Sequence, residues 1–240
     1  MERLTFLLHL HLNLNSHMLR QAWWKILCVI LLLYTIIAGF LGPVPALPIL
    51  NETIRNLYFH VAMWMAMMVF FIVSVIYSVR YLGNNNQLFD VYALEYARTG
   101  IVFGVLGLVT GSVWARWTWG AFWSNDPKQL GVVIALLIYF AYFVLRNSMT
   151  DLDKRARIGA VYNIFAFAML FPTIWIIPRM VESLHPGGMG NPALDTKDID
   201  SRMRVVFWPG AVPGWTLLGV WITTLRIRFK VVAERRAEQA

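Results

Sequence analysis

Two histidines and one tryptophan cluster carry the residue types in this chain that can hold a ligand. His60 stands in Arg55-Asn-Leu-Tyr-Phe-His60-Val, at the mouth of an uncharged apolar stretch, and is the only ionisable group near it. An imidazole at membrane depth needs a partner and is a functional candidate by default. The plainer alternative is an interfacial histidine bonded to a neighbouring backbone carbonyl. His185 lies in Leu184-His185-Pro186-Gly187-Gly188, where proline and glycine set a turn and bar a helix. Such a histidine taken alone is ordinarily solvated; it gains meaning when paired with His60.

Between them lies Trp114-Ala-Arg-Trp117-Thr-Trp119-Gly120-Ala-Phe122-Trp123-Ser-Asn-Asp126-Pro127-Lys128, which places four of the eleven tryptophans within ten residues. An interfacial aromatic belt explains one or two rings per helix end, as at Trp23 and Trp24, but not this density. A platform for a large, flat, apolar ligand explains it better, because indoles offer stacking area and a polar N–H handle. A three- or four-ligand zinc site is poorly supplied: neither a third histidine nor a cysteine is expected at that face, and Asp126 is the only carboxylate in the segment. Two neutral imidazoles instead suit the two axial positions of a haem iron. Its propionates would call for cations, and Arg55 and Lys128 flank the same opening. Arg116 and Arg179 read as ordinary interfacial cations.

Composition says what must position these groups. The chain has 240 residues, 58% apolar and only 14% charged, with one cysteine, Cys28. That excludes a disordered chain and a disulfide scaffold. Six stretches without Asp, Glu, Lys or Arg, at 26–44, 61–79, 99–115, 129–145, 158–178 and 205–225, reach the length a bilayer core requires. Helices are expected, because lipid forces each segment to satisfy its own backbone and no alternating strands appear. The fold class is therefore an all-α polytopic membrane protein of six transmembrane helices in a single domain, 1–240. Pro43, Pro45, Pro48, Pro127 and Pro178 punctuate helix ends.

Six crossings return both termini to one side. Fourteen Lys and Arg lie on that side and seven on the other, so the termini are expected in the cytoplasm and His60, His185 and the tryptophans outside. The net charge of +8 is then mainly a topology signal, and the scattered basic residues argue against nucleic acid as a partner. Residues 1–20 hold His9, His11 and His17 in a leucine-rich run, too short to span and without a signal-peptide cleavage site. These histidines would face the cytoplasm, and Met18 is a candidate start. Cys28 is expected to be a lipid-embedded thiol without a role.

The run Thr110-Gly111-Ser112-Val113-Trp114-Ala115-Arg116…Trp119-Gly120-Ala121-Phe122-Trp123-Ser124-Asn125-Asp126 resembles the tryptophan-rich signature of membrane proteins that handle haem in cytochrome c biogenesis. Six helices and one histidine on either side of the signature narrow the resemblance to the CcmC type, over nearly the whole chain after Met18. Trp119, Gly120, Trp123 and Asp126 match the pattern; Asn125 and Phe122 stand where tryptophan is usual or frequent, so Asn125 is given no stacking role. The resemblance implies that His60 and His185 ligate iron from both sides of a non-covalent haem b in transit, with Trp114, Trp117, Trp119, Gly120, Phe122, Trp123, Asp126, Lys128 and Arg55 around it. It further implies a bacterial inner-membrane location, delivery of haem to the periplasmic chaperone CcmE, and action with the ABC transporter CcmAB and the small membrane protein CcmD. Carriage rather than catalysis is implied, so no enzyme activity is expected.

Rivals make different demands. A membrane b-type haem redox subunit would want histidines deep in facing helices. An ion or proton transporter would want charged groups within the spans, where the six stretches have none. A c-type cytochrome would need Cys-x-x-Cys-His, which is absent.

Overall fold

The computed structural model describes residues 21–185 and 199–239, all in helices and short connections with no strand among them. The N-terminal histidines and Met18 lie outside the described residues. The helices are α1 (Trp23–Leu41), α2 (Leu57–Asn84), α3 (Gln87–Trp119), α4 (Pro127–Asn147), α5 (Leu152–Leu170), α6 (Ile177–Met180), α7 (Ser201–Val206) and α8 (Val212–Gln239). A 3-10 turn, Asn51–Asn56, leads into α2. π-helical turns at Phe171–Ile176 and Phe207–Ala211 join α5 to α6 and α7 to α8, so six helical rods are long and apolar enough to cross a membrane. Both π turns contain a proline, Pro172 or Pro209, whose missing N–H makes local rewinding favourable.

Local sequence sets the helix starts. Asn86, Asp126, Asp151 and Asp200 each accept a hydrogen bond from a first-turn backbone N–H, from Leu88, Lys128, Lys154 and Arg202 respectively. Pro127 occupies the first helical position, where its missing donor costs nothing. Pro178 does not end its helix: it sits in the first turn of α6, which runs on to Met180.

The core lies among α2, α3, α4 and α5. Phe71 stacks on Tyr139 at 3.7 Å between ring centroids, and Met67, Phe70, Phe103 and Leu136 fill the surrounding layer. Burial from lipid brings little hydrophobic gain, so this packing and interhelical hydrogen bonds hold the rods together. Asn163 on α5 donates to Ser74 and Ser78 on α2, and Thr99 on α3 bonds Thr223 on α8 at 2.6 Å. A second cluster (Ile54, Tyr58, Ala62, Met203, Phe207 and Ala211 among it) fastens α7 and its π turn to the start of α2.

Two expectations are corrected. Cys28 does not face lipid: it is fully buried, and its thiol donates to the Gly214 carbonyl of α8 at 3.7 Å. The uncharged third stretch is only the middle of a much longer helix. α3 also carries Asp90, Glu95 and Arg98, and Asp90 makes a bidentate ion pair with Arg146 of α4, both N–O distances being 2.6 Å. Asp90, Glu95 and Arg146 are buried against other helices, where a contiguous apolar run cannot reveal them. They lie toward the termini end of the bundle, far from the tryptophans.

Candidate functional site

The histidine end is assembled from the first turn of α2, the last turns of α3, the α3–α4 connection and the segment after α6. The apolar stretches 99–115 and 129–145 leave residues 116–128 between them, and the connection in the fold is shorter. α3 continues through Trp119, so Trp114, Trp117 and Trp119 are helical and only residues 120–126 form the connection. Gly120 ends α3 with φ +85, a left-handed backbone that a side chain would strain.

His60 sits in the first turn of α2 and turns toward α3. Its Nδ1 is 2.8 Å from the Gly107 carbonyl oxygen. A carbonyl has no proton to give, so Nδ1 carries the hydrogen and donates, and Nε2 keeps its lone pair. Trp64 Nε1 approaches the same Nδ1 at 3.3 Å, a contact that the occupied nitrogen cannot also accept. The imidazole meets Trp64 and Trp114 edge-on, with centroids 6.0 and 5.9 Å away. Gly111 makes this approach possible: a Cβ there would run into the Cε1–Nδ1 edge of the ring. The wall is fixed by Trp114 Nε1 donating to Thr53 Oγ1 at 3.0 Å and Asn56 Nδ2 donating to the Thr110 carbonyl at 2.9 Å.

His185 is held by Asp126. Its Nδ1 is 2.8 Å from Asp126 Oδ1, and its ring stands edge-on to Trp119 with centroids 4.8 Å apart. The carboxylate also accepts from Lys128 N at 2.8 Å, Ser183 Oγ at 2.8 Å and Leu184 N at 2.7 Å. Asp126 thus caps α4 and captures the 183–185 segment with one buried side chain. Burial raises its pKa, but the His185 hydrogen bond and charge, with Ser183 and the Lys128 amide, outweigh that and hold the carboxyl well below the usual carboxylate range. In each of the two imidazoles, Nδ1 is committed to an acceptor and Nε2 has no hydrogen-bond partner among the described residues, the arrangement expected of a metal-ligating histidine with its orienting partner.

The remaining candidates divide. Trp114 and Trp119 flank the imidazoles, whereas Trp117, Phe122 and Trp123 are exposed, Trp117 at 75%. Trp123 Nε1 donates to Asn125 Oδ1 at 2.6 Å, and Asn125 takes φ +54. Asparagine tolerates that left-handed position far better than tryptophan would. Arg55 directs Nε and both Nη atoms at Glu52 and at the Gly39 and Gly42 carbonyls at the end of α1. Lys128 lies in the first turn of α4 beside Asp126. Arg116 bonds the Gly120 carbonyl, and Arg179 lies over the Trp175 ring.

Sequence reasoning missed Trp64, Thr110, Gly107 and Gln129. Gln129 is buried; it accepts from Ser124 N at 3.0 Å and reaches the Phe122 carbonyl at 3.4 Å, pinning the connection to α4. Only the spacing of Trp64 one turn after His60 could have signalled any of these. Among the described residues no group of three or more His, Cys, Asp or Glu is placed to hold a metal ion. A cavity of about 520 Å³ opens nearby between α1, α2 and α7, lined by Tyr34, Tyr58 and Arg202, but neither histidine borders it.

The sequence model of the family described as "CcmC: Heme exporter protein C" matches residues 10–240. "Heme exporter protein C" of Bradyrhizobium diazoefficiens is 31% identical over 150 residues, covering 60% of this chain and 56% of that protein. The "Putative cytochrome c biosynthesis ccmC-like mitochondrial protein" of Marchantia polymorpha is 36% identical over 102 residues, covering 42% and 44%. "Cytochrome c biogenesis protein CcsA" of a Synechococcus species is 33% identical over 90 residues, covering 38% and 29%. The matches thus span about half or less of these relatives. The family match over residues 10–240, on a fold with six rods long and apolar enough to cross a membrane, establishes that this chain belongs to the heme exporter protein C (CcmC) family.

Proposed function

We propose that this protein carries haem for cytochrome c maturation, holding a non-covalent haem b between His60 and His185 at the periplasmic face of the bacterial inner membrane. One observation supports the reading: two imidazoles from separate segments lie at the same end of the bundle, each anchored through Nδ1 and each beside an indole. Bis-imidazole ligation would fill both axial positions, which disfavours oxygen chemistry while haem waits for transfer. Trp114 and Trp119 would bound the macrocycle, and the exposed Trp117, Phe122 and Trp123 would offer a surface to the protein that takes haem on. Arg55, which also bonds Glu52 and the carbonyls at the end of α1, and Lys128 are the cations proposed for the propionates. Delivery to the chaperone CcmE, together with CcmAB and CcmD, rests on family membership and on the lysine and arginine balance that sets the orientation.

The test is spectroscopic. Purified wild-type protein loaded with haem should give a low-spin, six-coordinate spectrum, and His60→Ala and His185→Ala should each lose it or lose haem. Wild-type spectra in both variants would refute the axial assignment.

A further inference from the structure

The opposite end of the bundle holds a second feature that the haem site does not use. Glu95 of α3 is buried at 2% exposure and is bonded by two arginines, Arg98 Nη1 at 2.5 Å and Arg226 Nε at 2.6 Å. Two cations meet one carboxylate, so the cluster carries one net positive charge. Both guanidiniums remain partly exposed, at 39% and 46%. Each spends one of its several N–H groups on Glu95, and the rest have no partner among the described residues.

These arginines border a cleft of about 370 Å³ between α3, α4 and α8. Asn147 shares its polar mouth, and Val102, Phe103, Phe140, Phe143 and Ile222 form its walls. Phe140, Val102 and Ile222 are exposed on the bundle flank, so the apolar part opens sideways toward lipid. Depth follows from helix geometry. Arg98 precedes Trp119 by 21 residues on continuous α3. That is about 32 Å of helix at 1.5 Å per residue, close to the ~30 Å thickness of a hydrocarbon core. With the tryptophan end at one interface, the arginines stand at headgroup level of the other leaflet.

We propose that this cleft is a binding site for one anionic phospholipid, its phosphate on Arg98 and Arg226 and one acyl chain along Phe140, Val102 and Ile222. The charge excess selects an anionic headgroup over a zwitterionic one, and the lateral opening selects a lipid over a water-soluble anion. The site joins α3, α4 and α8, so its occupant would brace the end of the bundle remote from the histidines. It is independent of the haem reading.

Native mass spectrometry of the detergent-solubilised full chain, with phosphatidylglycerol or phosphatidylcholine of identical chains, tests it. Wild-type protein should retain phosphatidylglycerol about fivefold better, the fold-change expected of one net cation near a headgroup. Glu95→Gln removes the counter-charge and should increase that preference. The triple variant Arg98→Gln, Glu95→Gln, Arg226→Gln leaves no buried charge unpaired and should abolish it, while thermal unfolding in detergent verifies that the fold persists. Equal retention of the two lipids by wild type, or an undiminished preference in a folded triple variant, overturns the proposal. So does displacement of bound phosphatidylglycerol by haemin in preference to added phosphatidylglycerol, because the cleft would then be a porphyrin site.

Discussion

Asp126→Asn is the perturbation that bears most directly on how His185 is held. The carboxylate accepts four hydrogen bonds, from Lys128 N and His185 Nδ1 on Oδ1 and from Ser183 Oγ and Leu184 N on Oδ2. An asparagine keeps one acceptor oxygen and turns the other position into an NH2 donor. With the NH2 at the Oδ2 position it faces the Leu184 N–H, the Ser183 hydroxyl being able to turn and accept; with the NH2 at the Oδ1 position it faces the Lys128 N–H and the protonated Nδ1 of His185. If it keeps the cap on Lys128, it keeps His185 but releases the 183–184 backbone that presents it. If it keeps Ser183 and Leu184, it no longer holds His185 in the tautomer that protonates Nδ1 and leaves Nε2 free. A hydrogen bond to a charged group is worth about 1.5–3 kcal/mol, and loss of an orienting partner behind a metal ligand costs about 10–100-fold in affinity. Haem affinity should therefore fall about 10–100-fold, measured by titrating haem into the apoprotein and following the Soret band. The reduction potential of bound haem should also rise, since a carboxylate-bonded imidazole is the more basic ligand and favours ferric iron. The second readout matters because a purely structural capping role would lower stability without moving the potential. Affinity within about twofold of wild type together with an unchanged potential would refute the support role.

Four further outcomes are expected. Gly111→Ala places a methyl group against the His60 ring edge, and overpacking of this kind costs about 1–3 kcal/mol; the low-spin signal in electron paramagnetic resonance should weaken while helix content by circular dichroism holds. Asp90→Asn strands Arg146 in the bundle and should cost about 3–5 kcal/mol, read from thermal unfolding in detergent, whereas Asp90→Asn with Arg146→Met should lose less. The depressed pKa of Asp126 gives a sign to pH dependence: the stability its ionised form contributes is complete above the ordinary value of 3.8 and is lost as pH falls toward the lowered one. Tryptophan fluorescence of the apoprotein should thus report no Asp126-dependent transition between pH 5 and 7, judged by comparison with Asp126→Asn (pH range chosen about one unit or more above that value). Cys28→Ser should be nearly silent, because a hydroxyl can also donate to the Gly214 carbonyl, whereas Cys28→Leu should lower thermal stability.

Much of the architecture was legible along the chain because the bilayer imposes a length and a polarity that a sequence displays directly. Six apolar stretches and the density of indoles at 114–123 are local properties, readable residue by residue. The candidate ligands were readable too, by scarcity: few histidines remain once the N-terminal run is set aside. What the sequence by itself determined is therefore the class of fold, the family, and which side chains are candidates.

Only the tertiary structure decided what those side chains do to one another. That Asp126 anchors His185 across 59 residues, and that the Gly107 carbonyl accepts the His60 Nδ1 hydrogen bond across 47, depends on which helices are neighbours. The same holds for Arg55, whose guanidinium bonds the Gly39 and Gly42 carbonyls at the end of α1, and for Cys28, which faces α8 rather than lipid. Charges on α3 escaped an apolar-run criterion because a buried ion pair is neutral in company and costly alone, and the company comes from other helices. Hydrogen bonds and ion pairs act over a few ångströms in space, whereas a sequence records only distance along the chain; the pairing of groups is thus set by the packing of the rods and not by any one of them.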